Sequence, residues 1–159
     1  MKKFFLLILI PILASCYSIK TEQIIIDPVI TNVEVENSKS ELYVKANTWM
    51  VESFNNAKSV IQFSDKENGI VIGKYLMKSY SYTTSTNYNT EDKEVYAIIK
   101  IQVKENATKM TVTPQPFEIR VAEFTKNEYG YSRKQAVQDI NELSSSFRRY
   151  MLYNNTNDF

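Results

Sequence analysis

Not one histidine occurs in the 159 residues. The commonest general base and the commonest metal ligand are therefore missing. There is a single cysteine, Cys16, so no disulfide forms within the chain, and cysteine-rich zinc sites and Cys/His or Ser/His nucleophile pairs are excluded. Glycine numbers 3 and proline 4, too few for a linker-rich or disordered chain. Nor is there an excess of either charge. Lys and Arg total 19 against 18 Asp and Glu, which gives no electrostatic reason to expect nucleic acid or an anionic surface as partner. No internal repeat and no apolar run long enough to span a bilayer is present, since a span takes about 20 residues.

Aromatic residues are plentiful, with Tyr 11 and Phe 8, and supply material for a core. The most specific stretch lies near the start. Lys2 and Lys3 precede the short apolar run Phe4 to Leu13, which Pro11 interrupts, and Leu13-Ala14-Ser15-Cys16 follows. A positive segment, a short apolar segment and small residues before a cut describe a secretory signal peptide. Cysteine directly after Leu-Ala-Ser resembles the lipobox of bacterial lipoproteins, which implies cleavage between Ser15 and Cys16 and lipidation of Cys16. An ordinary secretory peptide, with Cys16 incidental, is the alternative. Removing residues 1–15 leaves 144 residues, a length that suits one domain. Several acyl chains, at about 0.8 kcal/mol per buried CH₂, hold a protein on a membrane without help from its surface. Residues 16–23 then read as a lipidated tether, residues 24–153 as the domain and residues 154–159 as a frayed tail. Tyr17 stands where enteric lipoproteins retained in the inner membrane carry Asp, which favours the outer membrane of the cell envelope.

Ile24 to Val35 reads as one or two strand segments, with a break or edge at Pro28. Ser38-Lys39-Ser40-Glu41 is a capping-box pattern, so a helix follows, with Leu42, Ala46, Trp49, Met50, Ser53, Phe54 and Ala57 on one face and Lys45 elsewhere, ending at Asn56 to Lys58. Trp49, in the middle of that stripe, reads as a core anchor before it reads as a ligand platform. Val60 to Phe63 and Ile70 to Met77 form a hairpin about the turn Asp65-Lys66-Glu67-Asn68-Gly69. Gly73 within the second strand signals a bulge or a close backbone approach. Lys78 to Asn89 is dense in Ser, Thr, Tyr and Asn. A solvated hairpin end is its ordinary reading; a ligand-contacting surface built on Tyr80, Tyr82 and Tyr88 is the functional one.

Val95, Ala97, Ile99, Ile101 and Val103 alternate with mostly polar residues, the clearest strand in the chain. A turn at Glu105 to Ala107 leads to a strand at Lys109 to Thr113, and Phe117, Ile119 and Val121 suggest an edge strand. Ser132-Arg133-Lys134-Gln135 is a second capping-box pattern. It opens a helix whose stripe is Ala136, Val137, Ile140, Leu143, Ser144, Phe147 and Met151. Packing on the sheet is the ordinary fate of such a face, and a partner helix the alternative.

Strand, helix, hairpin, meander and helix in that order describe an α+β domain, an antiparallel sheet with two helices packed on one face. The stretch from Glu41 to Trp49, with Ser59 to Lys74 and the strand from Val95 to Lys104, resembles a bacterial domain family of unknown function with a fold like the TATA-binding protein (TBP). That family is found in secreted and lipid-anchored proteins of Bacteroides-type bacteria. The resemblance covers Ile24 to Phe124. It implies the fold and no catalytic residue. DNA binding does not follow from a fold label.

Three uses remain open. One is a non-catalytic binding module of the envelope, held to the membrane through lipid on Cys16. Another is a subunit of a larger envelope assembly with a protein partner, using the last helix or an open sheet edge. A third is a carboxylate-dependent hydrolase acting on an envelope glycan, with Asp65 and Glu67 or Asp92 and Glu94 as the pair. Both pairs sit among lysines in expected turns, where solvated charge is the ordinary reading. No catalytic residue, metal or cofactor is implied.

Overall fold

A computed structural model of the chain describes residues 18–54, 59–83 and 90–153. In chain order the elements are β1 (Ile19–Ile24), β2 (Val29–Glu34), α1 (Lys39–Ser53), β3 (Val60–Asp65), β4 (Ile70–Thr83), β5 (Thr90–Lys104), β6 (Ala107–Pro114), β7 (Phe117–Ala122), β8 (Glu128–Tyr129) and α2 (Arg133–Tyr153). They build a five-stranded sheet in the order β2-β6-β5-β4-β3 and a three-stranded sheet in the order β1-β7-β8. Every pairing is antiparallel. The α+β class and the packing of both helices on one face of the main sheet agree with the sequence.

Alternation decides which side of the main sheet is buried. On β5, Val95, Ala97, Ile99, Ile101 and Val103 are buried, while Tyr96, Ile98, Lys100 and Gln102 between them are half-buried and Lys104 is exposed. Val33, Val71, Met110 and Val112 join the buried side from the neighbouring strands. From α1 come Leu42, Ala46, Trp49 and Met50, and from α2 Ile140, Phe147 and Met151. Trp49 and Phe147 meet edge to face at 5.1 Å, which locks one helix against the other. A second cluster joins Ile24, Phe117, Ile119 and Val121 of the small sheet to Val95, Tyr131 and Ala136.

Both helices start where the capping boxes place them. Ser38 Oγ accepts from the Glu41 amide, and the Ser38 amide donates to Glu41 Oε2 at 2.9 Å. Likewise the Ser132 amide donates to Gln135 Oε1 at 2.9 Å and the Gln135 amide to Ser132 Oγ at 3.2 Å. α1 ends at Ser53, capped by Phe54; the end expected at 56–58 falls outside the described residues.

Several expectations need correction. Residues 19–23 are not tether: they pair with β7 from Ile19 opposite Ala122 to Ile24 opposite Phe117, so the folded domain begins five residues earlier than expected. The backbone pairing, absent from any side-chain pattern, holds this polar segment. β7 is the central strand of its own small sheet, not an edge of the main one, and β8 is an added strand with no alternation to announce it. Strand pairing runs on through Lys78 to Thr83, which was expected as a hairpin end; β5 supplies thirteen partners, from Gln102 opposite Ile70 to Thr90 opposite Thr83. Lys45 was placed off the buried stripe and is 1% exposed. α1 is covered by α2 as well as by the sheet, so its buried arc is wider than a single stripe. Val137, placed on the buried stripe of α2, is exposed. The tail at 154–159 lies outside the described residues.

Candidate functional site

Ser15 and Cys16, the expected cleavage and lipidation residues, lie outside the described residues, as does Tyr88. Tyr82 pairs with Glu91 through β4 and β5, and its side chain is not among those described. Tyr80 is the member of the tyrosine set whose surroundings are defined. A register shift between Leu76 and Lys78 places it opposite Lys93, on the side of the sheet that holds Val95. There it packs against the second cluster, its ring lies beside Gly130, and its hydroxyl donates to the Glu118 carbonyl at 3.1 Å. Burial raises the pKa of this phenol, keeping it a donor. The adjoining cleft, with Thr21, Lys93, Arg120 and Tyr129, measures about 50 Å³, far below the roughly 300 Å³ of an ordinary small-molecule site. Tyr80 fastens the small sheet to β4.

The carboxylate pairs serve local structure. Asp65 accepts from the Asn68 amide at 3.0 Å and from its side-chain nitrogen at 2.8 Å, and these bonds lower its pKa. That is the stapling of a tight turn, and Gly69 follows at φ 66°, a conformation glycine takes without strain. Glu67 is exposed, and its carbonyl, not its carboxylate, receives Lys39 Nζ at 2.6 Å. Asp92 accepts from Ser81 Oγ, and Glu94 from Tyr96 Oη. Neither pair shares a cleft. Among the described residues no group of three or more Asp, Glu or Cys side chains could hold a metal.

The helices leave the other face of the five-stranded sheet open. Register sets its side chains in rows across the strands. One row runs Ile30, Thr111, Lys100, Ile72, Phe63. A second runs Asn32, Lys109, Gln102, Ile70, Asp65, and a third Thr113, Ile98, Lys74, Val60. Ile30, Val60 and Phe63 are 58%, 46% and 49% exposed, all on the edge strands β2 and β3. Lysines stand between the aliphatic residues. Lys74 Nζ sits 3.7 Å above the Tyr96 ring, and none of Lys74, Lys100, Lys104 or Lys109 is in an ion pair among the described residues. At one end Glu34, Ala107 and Lys104 form a further row, and the small Ala107 opens a cleft of about 480 Å³. Asn32, Gln102, Lys109 and the turn residue Asn68 complete its walls. The alternate positions of β5 are mostly polar, and Tyr96 and Ile98 among them make this a mixed surface.

Among the described residues no helix is long and apolar enough to cross a membrane. No curated protein matches the chain. Similar solved structures include a DUF4468 family protein from Bacteroides ovatus, at 13% identity over 78% of each chain with a TM-score of 0.42, and a TBP-like protein from Parabacteroides distasonis, at 14% identity over 78% of this chain and 91% of that one with a TM-score of 0.47. The family model described as a domain of unknown function (DUF4468) with TBP-like fold matches residues 31–116, from β2 through the end of the main sheet. The α+β fold agrees with that description, and the chain belongs to this family of TBP-like domains of unknown function.

Proposed function

We propose that the protein is a lipid-anchored binding or assembly module of the bacterial cell envelope, held on the outer membrane through Cys16 and without catalysis of its own. The observation that carries the binding role is the open face of the five-stranded sheet, where Ile30, Val60 and Phe63 stand exposed among lysines that make no ion pair among the described residues. Natural sheets that do not bind anything tend to cover such a face or make it uniformly polar. The sequence around Ser15 and Cys16 supports the anchor, and β1 begins at Ile19, so little chain separates the lipid from the fold. A domain tethered so closely meets its partner at the membrane surface at high effective concentration.

Labelling cells with a radioactive or clickable palmitate tests the anchor: wild type takes label, and Cys16→Ser does not. Crosslinked capture from intact cells tests the module. Wild type retains a defined envelope protein, and the unanchored Cys16→Ala chain loses it. No capture from a correctly labelled wild type overturns the assembly role.

A further inference from the structure

We infer that the open face of the five-stranded sheet docks a second copy of this chain about a two-fold axis; this names the partner of the face that carries the binding-module reading and rests on that reading. Four lysines, Lys74, Lys100, Lys104 and Lys109, balance four carboxylates, Glu34, Asp65, Asp92 and Glu94, so the face as a whole attracts neither sign. The balance is divided in space. β5 is the central strand, and its open side reads Asp92, Glu94, Tyr96, Ile98, Lys100, Gln102, Lys104. Both of its carboxylates stand on one side of Ile98 and both of its lysines on the other. Lys109 of β6 joins the basic end, opposite Gln102. At about 3.3 Å per residue, Asp92 and Lys104 are roughly 40 Å apart.

A strand acidic at one end, apolar in the middle and basic at the other is complementary to itself turned end for end. A two-fold axis lying between two stacked sheets and running across their strands makes that turn, and sets acidic end over basic end twice. The same rotation keeps each edge strand on its own side. Val60 and Phe63, exposed on β3, then lie over the β3 of the other copy, while Tyr96 and Ile98 fill the middle. Lys74, near the axis, rests its Nζ 3.7 Å above the Tyr96 ring. At its acidic end each copy is only the paired β4 and β5, because β6 stops at Pro114 opposite Ala97 and β3 starts at Val60 opposite Lys74. That narrow ribbon arrives over the cleft of about 480 Å³ at Ala107, walled by Gln102, Lys104 and Lys109. Glu34 and Asp65, on the outer strands, lie beyond its width. An acidic segment or an anionic bilayer would meet as many carboxylates as lysines and gain nothing from their order.

Sedimentation velocity of the full chain in density-matched detergent tests this. A dimer is expected, dissociating on dilution and more readily as salt rises. Asp92→Lys with Glu94→Lys should weaken it more than about tenfold, and so should Lys100→Glu with Lys104→Glu. Mixing these two variants, or placing all four substitutions in one chain, should restore the dimer, because acidic end again meets basic end. Lys134→Glu on α2 should leave it unchanged. Circular dichroism matching wild type shows that the variants fold. A chain that stays monomeric overturns the assignment. So does a dimer indifferent to the reversals, which is two chains sharing a micelle, or a loss that mixing does not repair. Repeating the cellular capture keeps the two readings apart: a monomeric chain that still captures an envelope protein leaves the module standing without its second copy, whereas wild type that dimerises and captures nothing else removes the envelope partner and leaves the dimer.

Discussion

Lys45 is the most unusual residue in the core. Its Nζ lies 3.3 Å from the Met151 carbonyl and 3.5 Å from Asn37 Oδ1, long contacts for an ammonium that is 1% exposed. Burial lowers its pKa below the ordinary 10.5, and the nearby Glu41 opposes this. The unfolded chain therefore binds this proton more tightly, and stability rises with pH from the lowered folded value up to 10.5. Lys45→Met keeps the volume and removes the charge. It should raise unfolding stability by about 1 kcal/mol or more in urea titrations and flatten the rise that ends at 10.5. Gly73 is the opposite case, a residue chosen for lack of volume. A Cβ there would lie 2.4 Å from Phe54 Cε2 and 2.8 Å from Cζ, the ring that closes the end of α1. Gly73→Ala should cost about 1–3 kcal/mol by thermal or urea unfolding, and Gly73→Ala with Phe54→Leu should recover part of the loss.

Among the elements, the helices are set locally and the sheets are not. The Ser38–Glu41 box starts α1 from four consecutive residues, and Ser38→Ala should cost about 1 kcal/mol. Bonds from Ser38 hold the Glu41 pKa below the ordinary 4.5. The contribution is present above the unfolded glutamate value and disappears as pH falls through the depressed folded one, so the acid limb of stability should be shallower in Ser38→Ala. In β4, the shift between Leu76 and Lys78 turns the strand over, which puts Tyr80 on the core side. Tyr80→Ala should loosen β1, β7 and β8 while the main sheet persists, visible as faster amide exchange at Arg120 to Ala122 with little change at Ile99 to Ile101.

At the scale of the molecule, one interface joins both helices to the sheet. Trp49 and Phe147 stack edge to face, and Trp49 Nε1 donates to Ser146 Oγ at 3.3 Å. Both rings are within 1% of complete burial, so Phe147→Ala should cost about 3–5 kcal/mol and lower the Tm in a single cooperative step. A sheet covered by helices on one side alone has its other side free for use, and that asymmetry makes the lysine-bearing face available.

Local chemistry was legible in the residues: two capping boxes, the Asp65–Gly69 turn, the alternation of Val95 to Val103, the core role of Trp49 and the α+β class. Each depends on neighbours within a few positions, where spacing alone dictates geometry. β1, β8 and the strand pairing through Thr83 were not legible, because their polar residues are ordered by backbone partners as distant as Ile19 from Ala122. Lys45 was misplaced for a related reason. A helix stripe shows what one neighbour buries, and α1 has two. The candidate surface shows the same division. Sequence sets a net charge near zero and gives no electrostatic reason to expect nucleic acid or an anionic surface; register alone gathers Lys74, Lys100, Lys104 and Lys109 from three strands onto one face, with Glu34, Asp65, Asp92 and Glu94 on the same side. Charge is a sum along the chain, but recognition depends on where pairing places it.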